Sequence, residues 1–92
     1  MKENYVYPID YDRPKDEIIT LIAMFQAVEE AYETGIATQK LNEVYRQFKT
    51  IVPSIGEEKR LGREFEAVSG YSLYRVMQEA KQTQGKKVKM KR

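Results

Sequence analysis

The sequence predicts an all-α fold: a compact four-helix domain with an extended N-terminal arm and a disordered basic C-terminal tail. Three observations carry this prediction. Apolar residues recur at three- and four-residue intervals through most of the chain, which places them on one side of a helix. Gly35, Pro53 and Gly70 interrupt that pattern where helices should end. Directly after Pro53, Ser54 and Glu57 form a Ser-x-x-Glu capping box, in which each side chain satisfies a backbone donor that the first helical turn leaves orphaned.

Residues 1–13 open the chain with Tyr5-Val6-Tyr7-Pro8-Ile9-Asp10-Tyr11, where alternation and a proline favour an extended arm over a helix. Tyr5, Tyr7 and Tyr11 have large apolar rings with a polar tip, suited to docking the arm half-buried on the helices. The first helix is expected over 14–34, with Asp12 as cap, Pro14 in the first turn, and Asp16 and Glu17 at the positive end of the dipole. Its stripe of Ile18, Leu21, Ile22, Phe25, Val28, Ala31 and Tyr32 is the broadest in the chain and makes it the centre of the core. Gly35 ends it in left-handed geometry.

Thr38 is the expected cap of a second helix over 39–52, with Leu41, Val44, Tyr45, Phe48 and Ile51 or Val52 inward and Pro53 as its stop. Ser54 starts a third over 55–68, whose seam is Leu61, Phe65 and Val68. Glu57 with Arg60, Arg60 with Glu64 and Arg63 with Glu66 lie on its wet faces at i,i+3 or i,i+4. Exposed pairs of this kind contribute about 0.2–0.5 kcal/mol each, so they serve solubility more than any site. After the Ser69-Gly70-Tyr71 corner, Ser72 caps a fourth helix over 72–84 with Leu73, Val76, Met77 and Ala80 inward. Gly85 closes the single domain, 1–85, and the charge density of 86–92 predicts an unfolded tail.

Composition narrows the function. The chain has 92 residues, enough for one core, and no apolar run near the roughly 18 residues of a membrane span. A secretory signal pattern and cysteines are both missing, so the expected location is cytoplasmic. The formal charge of +2 hides an asymmetry: Lys86, Lys87, Lys89, Lys91 and Arg92 hold five of the positive charges, and 1–85 carries 11 basic against 14 acidic residues.

Tyr7-Pro8-Ile9-Asp10, Ala27-Val28-Glu29 with Ala31-Tyr32-Glu33, Tyr45-Arg46-x-Phe48-Lys49-x-Ile51-Val52-Pro53-Ser54, Glu57-Glu58-Lys59-x-Leu61 and Val68-Ser69-Gly70-Tyr71-Ser72-x-Tyr74-Arg75-Val76 together resemble uncharacterised protein family 0223. The resemblance covers most of the chain but not the Lys/Arg tail. It implies a small, cytosolic, helical, single-domain protein of Gram-positive bacteria and carries over no catalytic or binding residue.

With no histidine and no cysteine, the usual general base near neutral pH, Ser-His and Cys-His nucleophile pairs, and nearly all zinc and iron ligand sets are missing. Glu29, Glu30 and Glu33 are the nearest approach to a carboxylate cluster and read as a solvated acidic face, and no phosphate-binding glycine motif appears. The expectation is therefore a non-enzyme without cofactor, metal or small-molecule substrate. The favoured reading is a protein-interaction module whose partner is another protein or a second copy, motivated by seven tyrosines and four methionines. Its candidate surface is Tyr71, Tyr74, Arg75, Gln78 and Gln82, with Tyr71 assignable to core or surface.

The alternative is a nucleic-acid binder, because Phe65–Val76 has the outline of a helix-turn-helix. Ser72, Arg75, Gln78 and Gln82 would face the groove, and the tail Lys86, Lys87, Lys89, Lys91 and Arg92 would contact phosphates. Glu66 stands where such helices need a small residue, Glu79 where they need an apolar one, and the body is negative. The corner therefore reads as packing first.

Overall fold

The computed structural model describes residues 5–83 and 85–91, so Arg92 of the expected tail lies outside the described residues. The element order is α1 Lys15–Glu33, β1 Ile36–Ala37, α2 Thr38–Ile51, α3 Ile55–Ser69, α4 Leu73–Gln82 and β2 Lys87–Val88. The class is all-α, with one two-residue strand pair added.

α1 is the central element. Leu21, Met24, Phe25, Ala27, Val28 and Ala31 are all buried on it. Its start differs from expectation, since Pro14 is the N-cap residue and makes no side-chain cap bond. Asp12 is instead held in a turn, its N–H donating to Asp10 Oδ1 at 3.0 Å, so its side chain is not the cap. Gly35 at φ +94° ends the element as the left-handed residue, its N–H donating to Glu30 O at 2.6 Å.

The core joins α1 to α3 through aromatic rings. Phe25 and Phe65 stack with centroids 4.6 Å apart, and Tyr7 approaches them at 5.5 and 6.0 Å. Tyr5 reaches Phe65 at 6.1 Å. Two of the three arm tyrosines thus dock half-buried, whereas Tyr11 stays 62% exposed. The arm turns away there, Arg13 N–H donating to Asp10 O, and the Arg13 guanidinium ties its end to α3 through Glu57 at 2.5 Å and to α1 through Glu17 at 3.2 Å. Val68, expected in the α3 seam, is exposed; Tyr5 covers Phe65, and the buried seam is Leu61 and Phe65.

The tail differs most from its expectation. β2 pairs antiparallel with β1, Ile36 opposite Val88 and Ala37 opposite Lys87. Ile36 and Val88 are each 1% exposed. Thr38 N–H donates to Lys86 O and Met90 N–H to Ala31 O, both at 2.8 Å. Lys87, Val88, Lys89, Met90 and Lys91 alternate outward and inward, so the lysine heads stay in water while Val88 and partly buried Met90 join the core. Like-charge repulsion, the reason for expecting disorder, is small when every charge is hydrated. Gly35 takes part as well, because a Cβ there would lie 2.6 Å from Lys87 Cε. Thr38 is the first residue of α2 rather than its cap, and its hydroxyl donates to Gly85 O at 3.2 Å.

Because Val88 is buried, Val88→Asp and truncation after Thr83 are each expected to lower the thermal unfolding midpoint, at a cost of about 2 kcal/mol or more. A free tail would leave the midpoint unmoved, and calorimetry on the full chain and both variants reads the difference.

Candidate functional site

The α3–α4 corner is built from local bonds and then fastened to α1. Ser54 Oγ accepts the Glu57 N–H at 3.2 Å and Ser72 Oγ the Arg75 N–H at 3.1 Å, the expected caps, but the expected box at Ser54 is only half made because the Glu57 carboxylate pairs with Arg13. Gly70 at φ +79° ends α3 as the left-handed residue. Ser69 Oγ donates to Phe65 O at 2.7 Å and accepts the Tyr71 N–H at 3.0 Å.

Tyrosines make the tertiary attachment. The Tyr71 ring stacks on Tyr32 with centroids 4.6 Å apart and planes 10° from parallel. Tyr71 Oη donates to Glu33 Oε2 at 3.0 Å, and the Ser72 N–H donates to Tyr32 Oη at 3.2 Å. Tyr71 therefore belongs to the core.

The other expected surface residues share a stripe. On α4, Tyr74, Arg75, Gln78 and Gln82 fall within about 100° of arc at about 100° per residue, opposite the buried Leu73, Val76, Met77 and Ala80. Tyr74 is 67% exposed, Arg75 and Gln82 are exposed, and Gln78 is half-buried. Arg75 makes no ion pair among the described residues. Lys86, Lys87, Lys89 and Lys91 are exposed around β2.

Of these, Tyr74 lines a cavity. Between α3 and α4 lies a groove of about 260 Å³, lined on the α3 side by Glu58, Lys59, Gly62, Arg63 and Glu66 and on the α4 side by Ser72, Leu73 and Tyr74. Gly62 opens its floor. A Cβ there would sit 3.6 Å from Leu73 Cδ2, an ordinary contact, so packing does not demand glycine, although the helix loses about 1 kcal/mol relative to alanine. That mid-helix glycine was the available sequence signal for the groove. Glu58 is engaged on the far side, accepting from Lys49 Nζ at 2.7 Å and Tyr45 Oη at 2.8 Å. Lys59, Arg63 and Glu66 are exposed and form no ion pair among the described residues, so the expected Arg63–Glu66 pair is not made.

Of the three carboxylates expected on a solvated face of α1, Glu33 is exposed and Glu30 half-buried, but Glu29 is in the core. Glu29 is 3% exposed and accepts hydrogen bonds from Tyr5 Oη and, at 2.9 Å, from Tyr7 Oη. Glu33 receives the Tyr71 hydroxyl, and Glu30 faces Lys40 at 3.5 Å. Burial, followed by donation to a carboxylate, pushes the ionisation of Tyr5 and Tyr7 far above the ordinary tyrosine range. The same causes, with Glu58 as acceptor, push Tyr45 up to about 12. No group of three or more His, Cys, Asp or Glu among the described residues is placed to hold a metal ion. Nor is any helix among them long and apolar enough to cross a membrane.

The architecture defines a small helical domain onto which an N-terminal arm and a C-terminal strand both pack. The chain belongs to the uncharacterised protein family UPF0223, which it matches over residues 4–89. That span includes β2, so family likeness extends into the basic segment first read as lying outside it. A UPF0223 protein of Enterococcus faecalis is 52% identical over 88 residues, 96% of each chain. One from Bacillus cytotoxicus is 48% identical over 84 residues, covering 91% of this chain and 94% of its own. One from Streptococcus sanguinis is 51% identical over 81 residues, 88% of each.

The raised tyrosines set a stability window. Unfolded chain releases tyrosine protons from about pH 10 while folded chain holds those of Tyr5, Tyr7 and Tyr45, so the unfolded state gains with rising pH. Their contribution is complete below about pH 10 and, for Tyr45, is lost as pH climbs to about 12. Absorbance titration at alkaline pH should show these three among the seven tyrosines ionising late, with Tyr5→Phe and Tyr7→Phe each removing one late step. Each of those two substitutions should also cost about 1–2 kcal/mol of stability, because Glu29 is left buried with one donor fewer.

Proposed function

We propose that this protein is a non-catalytic protein-interaction domain and that its working surface is the α3–α4 groove with Tyr74 at its edge. Gly62 is the observation that carries this reading: helix propensity disfavours it, Leu73 leaves room for a methyl group, and what it maintains is an open floor. The surroundings suit a protein partner. Tyr74 offers a large, amphipathic and exposed ring, Leu73 supplies an apolar wall, and Lys59, Arg63 and Glu66 form a charged rim of both signs. The corner behind the groove is held by hydrogen bonds and the Tyr32–Tyr71 stack, so a partner meets a surface that is already ordered. Catalysis is the weaker reading because the groove contains no histidine, cysteine or metal cluster among the described residues. Nucleic-acid binding draws less support too, since Glu58 and Glu66 sit beside the groove's cations and Val88 is committed to the core.

Two measurements test the reading. Gly62→Ala should raise stability by about 0.5–1 kcal/mol while weakening partner capture, a split that a purely structural glycine cannot produce. A photocrosslinking amino acid at position 74 should trap protein in the living cell, and the same group at exposed Gln39, at the opposite end of α2 from Lys49, should trap none. Equal yields at the two positions, or none at 74, would sink the proposal.

A further inference from the structure

The geometry points to a second copy of this chain as the occupant of the groove, docked so that the two α3 helices run antiparallel across a twofold axis. This rests on the proposed role of the groove and names its partner.

Four residues of α3 carry the argument. Ile55, Lys59, Gly62 and Glu66 follow at steps of four, three and four, which at about 100° per residue confines them to a stripe about 60° wide. Lys59, Gly62 and Glu66 line the groove, so Ile55 continues its line one turn earlier, and it is 67% exposed. The stripe therefore joins an unburied apolar residue, a residue without a side chain and two opposite charges. Neither charge has an ion-pair partner among the described residues.

Spacing then selects the partner. When a helix packs antiparallel on its own twofold mate, residues equidistant from the crossing point face one another. Lys59 and Glu66 are equidistant from a point between Gly62 and Arg63. A crossing there sets Lys59 against the partner's Glu66, and Glu66 against the partner's Lys59, giving two identical ion pairs from one contact. Gly62 lies at that crossing, where the lack of a side chain permits close approach of the helix axes. The incoming helix fills the space between α3 and α4 and covers Tyr74. A parallel mate would instead align Lys59 with Lys59 and Glu66 with Glu66, so the charges also choose the direction.

Sedimentation equilibrium on the full chain over a concentration series, at low and high salt, tests this. A monomer–dimer equilibrium that weakens with salt is expected. K59E alone and E66K alone should each weaken dimerisation by roughly tenfold or more, since each reversal opposes like charges twice. Equimolar mixing of the K59E chain with the E66K chain should restore dimers, because both pairs are then opposite in sign, and the K59E/E66K double variant should dimerise by itself. Circular dichroism checks that these surface changes leave the helices intact, and recovery on mixing cannot come from misfolded chains. A native chain that stays monomeric throughout, or dimers indifferent to the reversals, would overturn the inference. If the chain is monomeric yet crosslinking from position 74 traps another protein, the groove remains an interaction surface and only the self-pairing is lost. With no crosslink at all, both fail.

Discussion

The buried carboxylate of Glu29 is the constraint on which the rest of the structure depends. It sits on the central helix at 3% exposure and accepts hydrogen bonds from Tyr5 and Tyr7. A carboxylate so placed is costly unless its lone pairs are taken by donors, so pulling the two tyrosine hydroxyls away carries a penalty. Once the two hydroxyls are anchored, their rings lie over Phe25 and Phe65, and the arm becomes part of the core that joins α1 to α3. A polar contact thereby sets the position of an apolar cluster, and the arm is structural.

Just beyond Glu29, the C-terminal end of α1 is closed by a different device. Gly35 reverses the chain, β1 follows immediately, and β2 returns from the C-terminus to bury Val88 beside Ile36. The tail's lysines remain in water around that strand, so the excess positive charge is displayed from a folded element. Tyrosine stacking holds the α3–α4 corner on α1, and the groove lined by Gly62 lies on the outer side of that corner. The domain spends its aromatic residues mainly on fastening, which leaves Tyr74 as the large aromatic ring exposed at the groove.

Much of the fold was legible because its signals are local. Ser54 and Ser72 cap helices through residues three positions later, and Gly35 and Gly70 end theirs through a backbone conformation that glycine adopts freely. The candidate site was legible only in part. Tyr74, Arg75, Gln78 and Gln82 could be placed on one face of α4 by periodicity, but the groove depends on what α3 sets opposite Leu73, and no spacing within one helix reports that. A glycine inside a helix, Gly62, is a local signal too, but its meaning depends on Leu73 across the groove.

The sequence by itself determined the helical class, the Ser54 and Ser72 caps, the glycine ends at Gly35 and Gly70, the inward stripe of α4, and the lack of histidine and cysteine. Each depends on residues within about one turn of each other or on composition alone. Only the tertiary structure decided that Glu29 is buried, that Tyr71 is core while Val68 is not, and that the basic tail folds as a strand. Glu29 meets Tyr5 24 positions away, Tyr71 meets Glu33 across 38, and Val88 pairs with Ile36 from the other end of the chain. Whether a carboxylate is solvated or a lysine-rich segment ordered depends on which partner arrives in space, and local periodicity carries no record of that.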